Sequence, residues 1–435
     1  MHRSRRHLRL PNRILVAQST VQLALLTGLA AAAGCRLAGG ESDPIDAGSG
    51  GTADLAGIGG AGGDGQTSGS AGGGDGGESG TGGVIGAGGV AGTGAIAGVA
   101  GADAGASCIT PPPASPLVGW AAVHPLNPSG TTGAGDAAPV NVTTTADFND
   151  NAGGTTARVL YVTGSLTGPF YVGSNKTIVG LCGASLRGHV EMNGSVNVIV
   201  RNLTIVGFGV GDCALDPTYD PTIGCSSGLD AVSVYGGAQR VWFDHCDISD
   251  GTDGNLDITA GANFVTVSWT KFHYTRRTDP IGSDSTGSTG HRFSNLVGGA
   301  DNSPVDVNAL NVTWHHNWWA DNVAERQPRV RYGRNHLFNN LYSAAGDSYC
   351  VRAGTAAGLL LENNVFVGVA SPFAFNSAAD QGTAFITASN NLYVTVSGTM
   401  STGGGGTPFT SPPYPYSLDG LDGLQDAIQT GAGPQ

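Results

Sequence analysis

Three aspartates form the first candidate site in the sequence. Asp253 and Asp257 stand four residues apart, and Asp230 lies upstream of Asp253 by nearly the length of one sequence repeat. Residues four apart on a strand point to one face, and a separation of one repeat places Asp230 one rung away, near Asp253. Converging carboxylates repel one another. A hard divalent cation, which prefers oxygen ligands, would offset this repulsion when the carboxylates bind it. The alternative, which composition alone favours, is that they are solvated aspartates in turns.

An arginine-rich segment forms the second set. Residues 329–332 predict a short strand on which Arg329 and Arg331 share one face, and Arg326 lies before the bend that Pro328 imposes. Guanidinium groups bind carboxylates in a bidentate manner. Several arginines beside a cation site would therefore suit a substrate that carries repeated carboxylates. The alternative is a ladder of ion pairs along the protein surface.

The charge distribution supports an anionic ligand, although the net charge of the chain is −13. A local cationic region on an acidic protein attracts anions. We expect a polyanionic partner, no nucleic acid and a monomeric protein. Eight of the 20 lysines and arginines fall within one stretch of the chain, namely Lys271, Arg276, Arg277, Arg292, Arg326, Arg329, Arg331 and Arg334.

The first 35 residues have the pattern of an export signal. A basic stretch is followed by an apolar segment and by Ala32-Ala33-Gly34-Cys35. This ending is similar to a bacterial lipoprotein processing site, so we expect a secreted or cell-surface protein, with Cys35 lipidated as its only link to a membrane. Ordinary secretion or an uncleaved anchor are the alternatives.

Residues 36–115 predict a disordered linker, because they are almost wholly small residues and contain many of the 73 glycines of the chain. Such a tether would hold a folded domain, residues 116–435, away from the anchor. Removal of Cys35 leaves six cysteines, an even number that permits disulfides in an oxidising compartment. We expect a Cys213–Cys225 pair, which brackets a short polar insertion, and no zinc site, because no zinc-ligand spacing occurs.

The folded part consists of short β-branched and aromatic runs that recur and end in Asn, Asp or Gly. The same step joins Val241 to Val265, Val312 to His336, and His336 to Leu360. A constant period of this size predicts a solenoid whose strands pair with those of neighbouring repeats. With amphipathic helices nearly absent, the pattern predicts an all-β fold, a right-handed, single-stranded parallel β-helix with asparagine ladders. Residues 418–432 could supply a cap.

An ordered set of motifs from about residue 116 to residue 433 resembles the pectate lyases of polysaccharide lyase family 1. The motifs are Gly119-Trp120-Ala121, Lys176-Thr177-Ile178-Val179-Gly180, Val241-Trp242-Phe243-Asp244-His245, Asp253-Gly254-Asn255-Leu256-Asp257 and Arg326-Gln327-Pro328-Arg329-Val330-Arg331. The resemblance implies a parallel β-helix that cleaves polygalacturonate by calcium-dependent β-elimination, with the substrate groove on one face.

The resemblance also assigns roles to particular residues. It implies that Asp230, Asp253 and Asp257 ligate Ca²⁺, that Arg326 is the base, and that Arg331 and Arg277 bind the substrate. This chain has Gly228 where some members have a further acidic ligand, and Arg277 where a lysine is common. Trp242, Asp244 and His245 belong to a family signature and are interpreted as structural support.

The resemblance leaves a chemical difficulty and three other functions open. An arginine base requires that the pKa of Arg326 be lowered, for which neighbouring cations are our hypothesis. A pectin lyase acting on methylated substrate would not need calcium. A hydrolase would need paired carboxylates, for which Asp244 and Asp247 are available. A non-catalytic, glycan-binding β-helix surface protein would need neither calcium nor a pair of catalytic carboxylates.

Overall fold

The computed structural model describes residues 110–123, 130–208, 229–275 and 292–435. Within these ranges every strand pairing between named strands is parallel, and the predicted parallel β-helix is confirmed. The predicted export signal, most of the predicted linker, Arg277 and the Cys213–Cys225 pair lie outside the described residues. Of the remaining cysteines, Cys246 and Cys350 are buried free thiols.

The strands form three parallel stacks that run along the solenoid. The first, which we call the site sheet, contains Phe170–Tyr171, Val190–Asn193, Val232–Tyr235, Gly254–Ile258, Phe293–Val297, Arg329–Val330, Val351–Ala353 and Phe373–Phe375. The second contains Pro139–Val142, Arg158–Thr167, Lys176–Arg187, Val196–Arg201, Gln239–Asp244, Asn263–Ser268, Val312–His315, Arg334–Phe338, Gly358–Glu362 and Phe385–Ser389. The third contains Thr204–Val206, Asp247–Ser249, Lys271–His273, Trp318–Trp319, Leu341–Tyr342, Val365–Val367 and Leu392–Val394.

The strand register corrects one of the three predicted repeat steps. The pairs Val241–Val265 and His336–Leu360 are in register, as predicted. Val312, however, pairs with Asn335, and His336 pairs with Thr313. The rung that begins at Val312 is therefore one residue shorter than a uniform repeat of the solenoid requires.

The interior is filled by side chains that alternate along each strand. In the site sheet Val232, Val234, Leu256, Ile258 and Val330 all point into the core and are fully buried. In the third stack aromatic rings follow one another on successive strands, with ring centroids 4.6 Å apart for Trp319 and Tyr342 and 4.4 Å apart for Tyr342 and Phe366. The inward side chains of the site sheet are apolar and form the core. The polar side chains that could contact a ligand are therefore those on its outward face.

A ladder of asparagines lines one corner of the solenoid, as predicted. Asn317 Nδ2 donates to Asn340 Oδ1 at 3.2 Å, Asn340 Nδ2 donates to Asn364 Oδ1 at 2.9 Å, and Asn364 Nδ2 donates to Asn391 Oδ1 at 2.9 Å. The same side chains also donate to backbone carbonyls of strands in the second stack, so the amides satisfy buried polar groups on consecutive rungs.

The helices are short and cover the ends and flanks of the solenoid. They are Thr145–Ala152, Ala378–Gln381 and Leu424–Gly431, with 3₁₀ turns at Trp120–Ala122 and Pro304–Asp306. Phe148 of the first helix packs edge to face on Phe170 and covers the N-terminal end. The last helix packs Leu424 and Ile428 on Leu341 and Val365, so this part of the predicted cap lies on a flank. No described helix has the length and apolarity required to cross a bilayer.

Candidate active site

The outward face of the site sheet brings two of the three predicted carboxylates together over a glycine. Val232 pairs with Leu256, and Ala231 N donates to Gly254 O at 2.9 Å, so Asp230 lies level with Gly254. The prediction had placed it about one rung from Asp253 and near it. A Cβ on Gly254 would lie 2.9 Å from Asp230 Oδ1 and 3.3 Å from Asp257 Oδ1. The missing side chain therefore leaves a space that one oxygen of each carboxylate faces.

Local contacts fix the orientation of both carboxylates. Ser233 Oγ donates to Asp230 Oδ2 at 2.9 Å, and Leu296 N donates to Asp257 Oδ1 at 3.0 Å. Asp230 Oδ1 is buried and accepts no hydrogen bond from the described residues. A buried acceptor without a donor costs free energy of folding. This oxygen is therefore a candidate ligand for a bound cation.

The pKa values of the aspartates show how strongly their charges oppose one another. Burial raises the pKa of Asp257 to about 7, with the charge of Asp253 adding to the effect. Burial also raises the pKa of Asp230 well above its usual range, followed by the charges of Asp257 and Asp253. All three carboxylates are thus close enough to couple, and a cation among them would relieve both the repulsion and the loss of solvation.

The residues fit calcium in chemistry but supply only part of a coordination sphere. In the described ranges, no group of three or more His, Cys, Asp or Glu side chains forms a cluster that could hold a metal ion. Calcium takes six to eight oxygen ligands, typically carboxylates, carbonyls and water. The orphaned oxygen of Asp230 and the open space at Gly254 suit such an ion. The remaining ligands would have to come from water and from the substrate.

Arg326 lies on the next strand connection and reaches back toward the aspartates. Gly254 pairs with Phe293, and the Arg326 guanidinium carbon lies 4.2 Å from the centroid of the Phe293 ring. The backbone of Arg326 is left-handed, with φ 59°, and its carbonyl accepts from Asn295 N at 2.7 Å. Its Nε is buried and donates to no described residue. The candidate base and the carboxylates therefore flank the same end of the strand Gly254–Ile258.

The pKa of Arg326 is raised in the free protein, which is opposite to the direction that an arginine base requires. Burial of the guanidinium lowers its pKa, but the negative charges of Tyr349 in its ionised form, Asp253, Asp257 and Glu325 outweigh burial. Two of these four groups, Asp253 and Asp257, are predicted calcium ligands. A cation bound to them would offset the charges that raise the pKa of Arg326.

Arg331 is less accessible than a substrate-binding residue is expected to be. The predicted strand 329–332 ends at Val330, and Tyr332 has a left-handed backbone with φ 57°. The Arg331 side chain is only 3% exposed; its Nε donates to the carboxylate of Asp301, and its Nη1 donates to Gly298 O at 3.1 Å. In this structure the carboxylate of Asp301 forms an ion pair with the guanidinium of Arg331, which was predicted to bind the substrate.

Comparison with known proteins decides the family. A sequence model of the family described as pectate lyase matches residues 93–433. The chain belongs to the pectate lyase family. It is 34% identical over 317 residues to pectate lyase B of Colletotrichum gloeosporioides, covering 70% of this chain and 83% of that protein. It is 28% identical over 339 residues to a pectate trisaccharide-lyase of Bacillus licheniformis, covering 73% of this chain and 86% of that protein.

Solved structures show the same fold. A Bacillus subtilis pectate lyase mutant aligns with a TM-score of 0.55 at 23% identity and covers 73% of this chain and 96% of that one. A pectate lyase from Bacillus sp. N165 in complex with trigalacturonate aligns with a TM-score of 0.54 at 21% identity, covering 73% of this chain and 98% of that one. The chain is therefore a member of the pectate lyase family that folds as a parallel β-helix.

The structure adds supporting residues behind Arg326 that the sequence did not single out. Gln327 Nε2 donates to Asp347 Oδ2 at 3.2 Å, and Gln327 N donates to Cys350 O at 2.8 Å. Asp347 Oδ1 accepts from Ala370 N at 2.7 Å. These contacts fix the residue next to the candidate base. The sequence contains no local signal for this contact, because Gln327 and Ala370 come from other repeats than Asp347.

The signature residues of this pectate lyase form a structural cluster on the second stack, as interpreted from the sequence. Trp242 Nε1 donates to Ser268 Oγ at 2.9 Å, and Ser268 Oγ donates to Asp244 Oδ1 at 2.8 Å. Asp244 is 1% exposed, and its Oδ2 lies 3.1 Å from His245 Nδ1. Asp247 lies 2.8 Å from His273 Nε2. Both acids of the hydrolase alternative are therefore engaged in contacts outside the site sheet.

Proposed function

We propose that this protein cleaves polygalacturonate by calcium-dependent β-elimination. The observation that carries the proposal is the space above Gly254, which one oxygen each of Asp230 and Asp257 faces. The Arg326 guanidinium lies on the ring of Phe293, the register partner of Gly254, and its charge acts on both carboxylates. A complex of a related fold with trigalacturonate and another with a hexasaccharide support an oligogalacturonate-like ligand. Arginines on the same face suit its carboxylates.

Asp230, Asp253 and Asp257 would hold the calcium ion. When bound, the ion would neutralise the substrate carboxylate and acidify the neighbouring C5–H bond. The orphaned Asp230 Oδ1 would gain a partner, and the repulsion that raises the pKa values of Asp230 and Asp257 would be removed. Because few ligands come from the protein in the described ranges, we expect weak binding of calcium without substrate.

Arg326 would accept the proton in this reaction. The C5–H bond breaks and its electron pair forms the C4–C5 double bond, while the C4–O bond breaks and the leaving oxygen takes a proton from solvent. For Arg326 to act, its pKa must fall, and a cation that offsets the charges of Asp253 and Asp257 would remove two of the charges that oppose the effect of burial. Gln327 and Asp347 would hold the arginine in place during the transfer.

We also propose that the protein is monomeric and secreted or held at the cell surface by a lipid on Cys35, with a disulfide between Cys213 and Cys225. The first 35 residues, with their basic and apolar segments and the small residues before Cys35, support export. Mass spectrometry of the mature N-terminus tests lipidation: a mass increase on Cys35 supports it, and an unmodified new N-terminus contradicts it.

The direct test follows the ultraviolet absorbance of the unsaturated uronate product during incubation with polygalacturonate. We expect product formation that a chelator abolishes and added Ca²⁺ restores. A chelator-insensitive rise on methylated pectin would instead indicate a pectin lyase. New reducing ends without absorbance would indicate hydrolysis, and binding without products would indicate a glycan-binding surface protein.

Matched variants test the proposed base. Arg326→Lys keeps the charge but changes the geometry, and we expect kcat to fall by roughly 100-fold, the scale of general-base catalysis. Arg334→Lys changes an exposed arginine on the same segment and should leave kcat unchanged. Full activity of Arg326→Lys at neutral pH would contradict the assignment of Arg326.

A further inference from the structure

The register of the site sheet defines one row of outward side chains that crosses the candidate active site. Each residue of this row is paired with the next on the neighbouring strand, so the row follows the axis of the solenoid. In order from the N-terminal end it consists of Tyr171, Glu191, Ser233, Asp257, Leu296, Arg329 and Arg352. A polymer bound at Gly254 and running along the sheet would contact this row on both sides of the site.

The two sides of the row differ in charge. Arg329 and Arg352 pair with each other on adjacent strands on the C-terminal side, where carboxylates of a substrate would be attracted. Glu191 lies on the N-terminal side, two strand spacings from Asp257, or about 10 Å. Its carboxylate accepts a hydrogen bond from Tyr235, and among the described residues no lysine or arginine forms an ion pair with it.

Two tyrosines surround Glu191 on this face. Tyr171, its register partner, is 49% exposed, although the preceding Phe170 is fully buried in the core. Tyr235 OH donates to Glu191 Oε1 at 2.6 Å and extends from the strand that follows. The N-terminal side of the row therefore combines exposed aromatic surface with a negative charge.

We propose that Tyr171, Tyr235 and Glu191 form a subsite for an uncharged sugar residue, namely a methyl-esterified galacturonate of the chain that is cleaved at Gly254. The inference rests on the proposed lyase function and specifies its substrate as partly esterified pectate. A free uronate carboxylate at this position would be repelled by Glu191. An ester removes that repulsion, and its methyl group and the sugar ring can pack on the tyrosine rings.

The test compares kcat/KM on fully de-esterified polygalacturonate with kcat/KM on partly methyl-esterified pectin. We expect the wild-type protein to prefer the esterified polymer, and Glu191→Gln to raise kcat/KM on polygalacturonate by roughly two- to fivefold, the range for exposed charge interactions. The amide oxygen can still accept from Tyr235 OH, so the local contact is kept. Asp422→Asn, an exposed aspartate in the C-terminal segment, is the matched control and should change neither value.

A second variant tests the aromatic part. Tyr171→Ala should lower kcat/KM on esterified pectin by roughly threefold or more, while Tyr171→Phe, which keeps the ring, should not. The inference is overturned if Glu191→Gln leaves the ratio between the two substrates unchanged, or if Tyr171→Ala lowers both values equally. Failure of the lyase function itself is a separate result, because the wild-type protein would then form no unsaturated product from either polymer.

Discussion

Asp230 Oδ1 and Asp257 Oδ1 lie within 3.3 Å of the position that a Cβ of Gly254 would occupy. The two aspartates are distant in the sequence and belong to successive rungs of the solenoid. Burial raises the pKa of both carboxyl groups, and the charge of Asp253 adds to the effect on each. The free protein therefore holds two carboxyls in an arrangement that favours the binding of either a proton or a cation.

A methyl group at Gly254 should abolish this arrangement. In Gly254→Ala the new Cβ would lie 2.9 Å from Asp230 Oδ1, which Ser233 holds through the other carboxylate oxygen. Displacement of a catalytic group by about 1 Å can cost roughly 100-fold in rate, and we expect a loss of that size in calcium-dependent kcat/KM. Gly299→Ala is the control, because its Cβ would meet only Thr259 Cγ2 at 3.9 Å. Equal activity of the two variants would contradict the role of Gly254.

The stability of the metal-free protein should depend on the protonation of Asp257. Its pKa in the folded state is about 7, above the ordinary value of 3.8. A group whose pKa is raised by folding contributes stability that is fully present below the unfolded pKa and lost as the pH rises through the folded pKa. In a chelator, Tm should therefore fall between about pH 4 and pH 7, and Ca²⁺ should restore more of it at higher pH.

Asp257→Asn isolates this contribution from the other titrating groups. The amide does not titrate, so thermal melts of the variant should show a weaker decrease of Tm with pH and a smaller gain with Ca²⁺. Identical pH profiles for the variant and the wild-type protein would show that Asp257 is not the group responsible.

Asp301 should compete with the substrate for Arg331. The Asp301 side chain is 61% exposed and accepts from Arg331 Nε, whereas the arginine is 3% exposed. If Arg331 binds a substrate carboxylate, the aspartate must first move away. We expect Asp301→Asn to lower KM for polygalacturonate by roughly two- to fivefold with little change in kcat. A higher KM would mean that Asp301 positions Arg331 instead.

Lys176 should matter for stability and not for catalysis. Its ammonium group is fully buried and donates to the carbonyls of Gly154, Thr156 and Ser174 at 3.1, 2.8 and 2.7 Å. Lys176→Met leaves these acceptors without their donor, and we expect a loss of about 1–3 kcal/mol in the free energy of unfolding. Lys271→Met removes only a cation–π contact at 4.8 Å to Trp318 and should cost less in a denaturant titration.

The fold class and the kinds of residue at the site could be predicted from the amino-acid sequence. Apolar residues alternate along short strands and recur at a nearly constant interval, and only stacking of the repeats can bury them. The grouping of Asp230, Asp253 and Asp257 with Arg326 followed from motifs in that pattern and from the family resemblance. The motifs and the family resemblance both rest on short stretches of sequence, because each motif lies within one repeat.

The alignment of the repeats and the contacts of each side chain depend on the tertiary structure. Strand register, set by turn lengths and packing between repeats, places Asp230 level with Gly254 and not with Asp253. Contacts with Asp301 and Gly298 bury Arg331, and Asp347 supports Gln327 from another repeat. A shift of one residue moves a side chain to the opposite face of a strand, so these details depend on interactions that no single repeat contains.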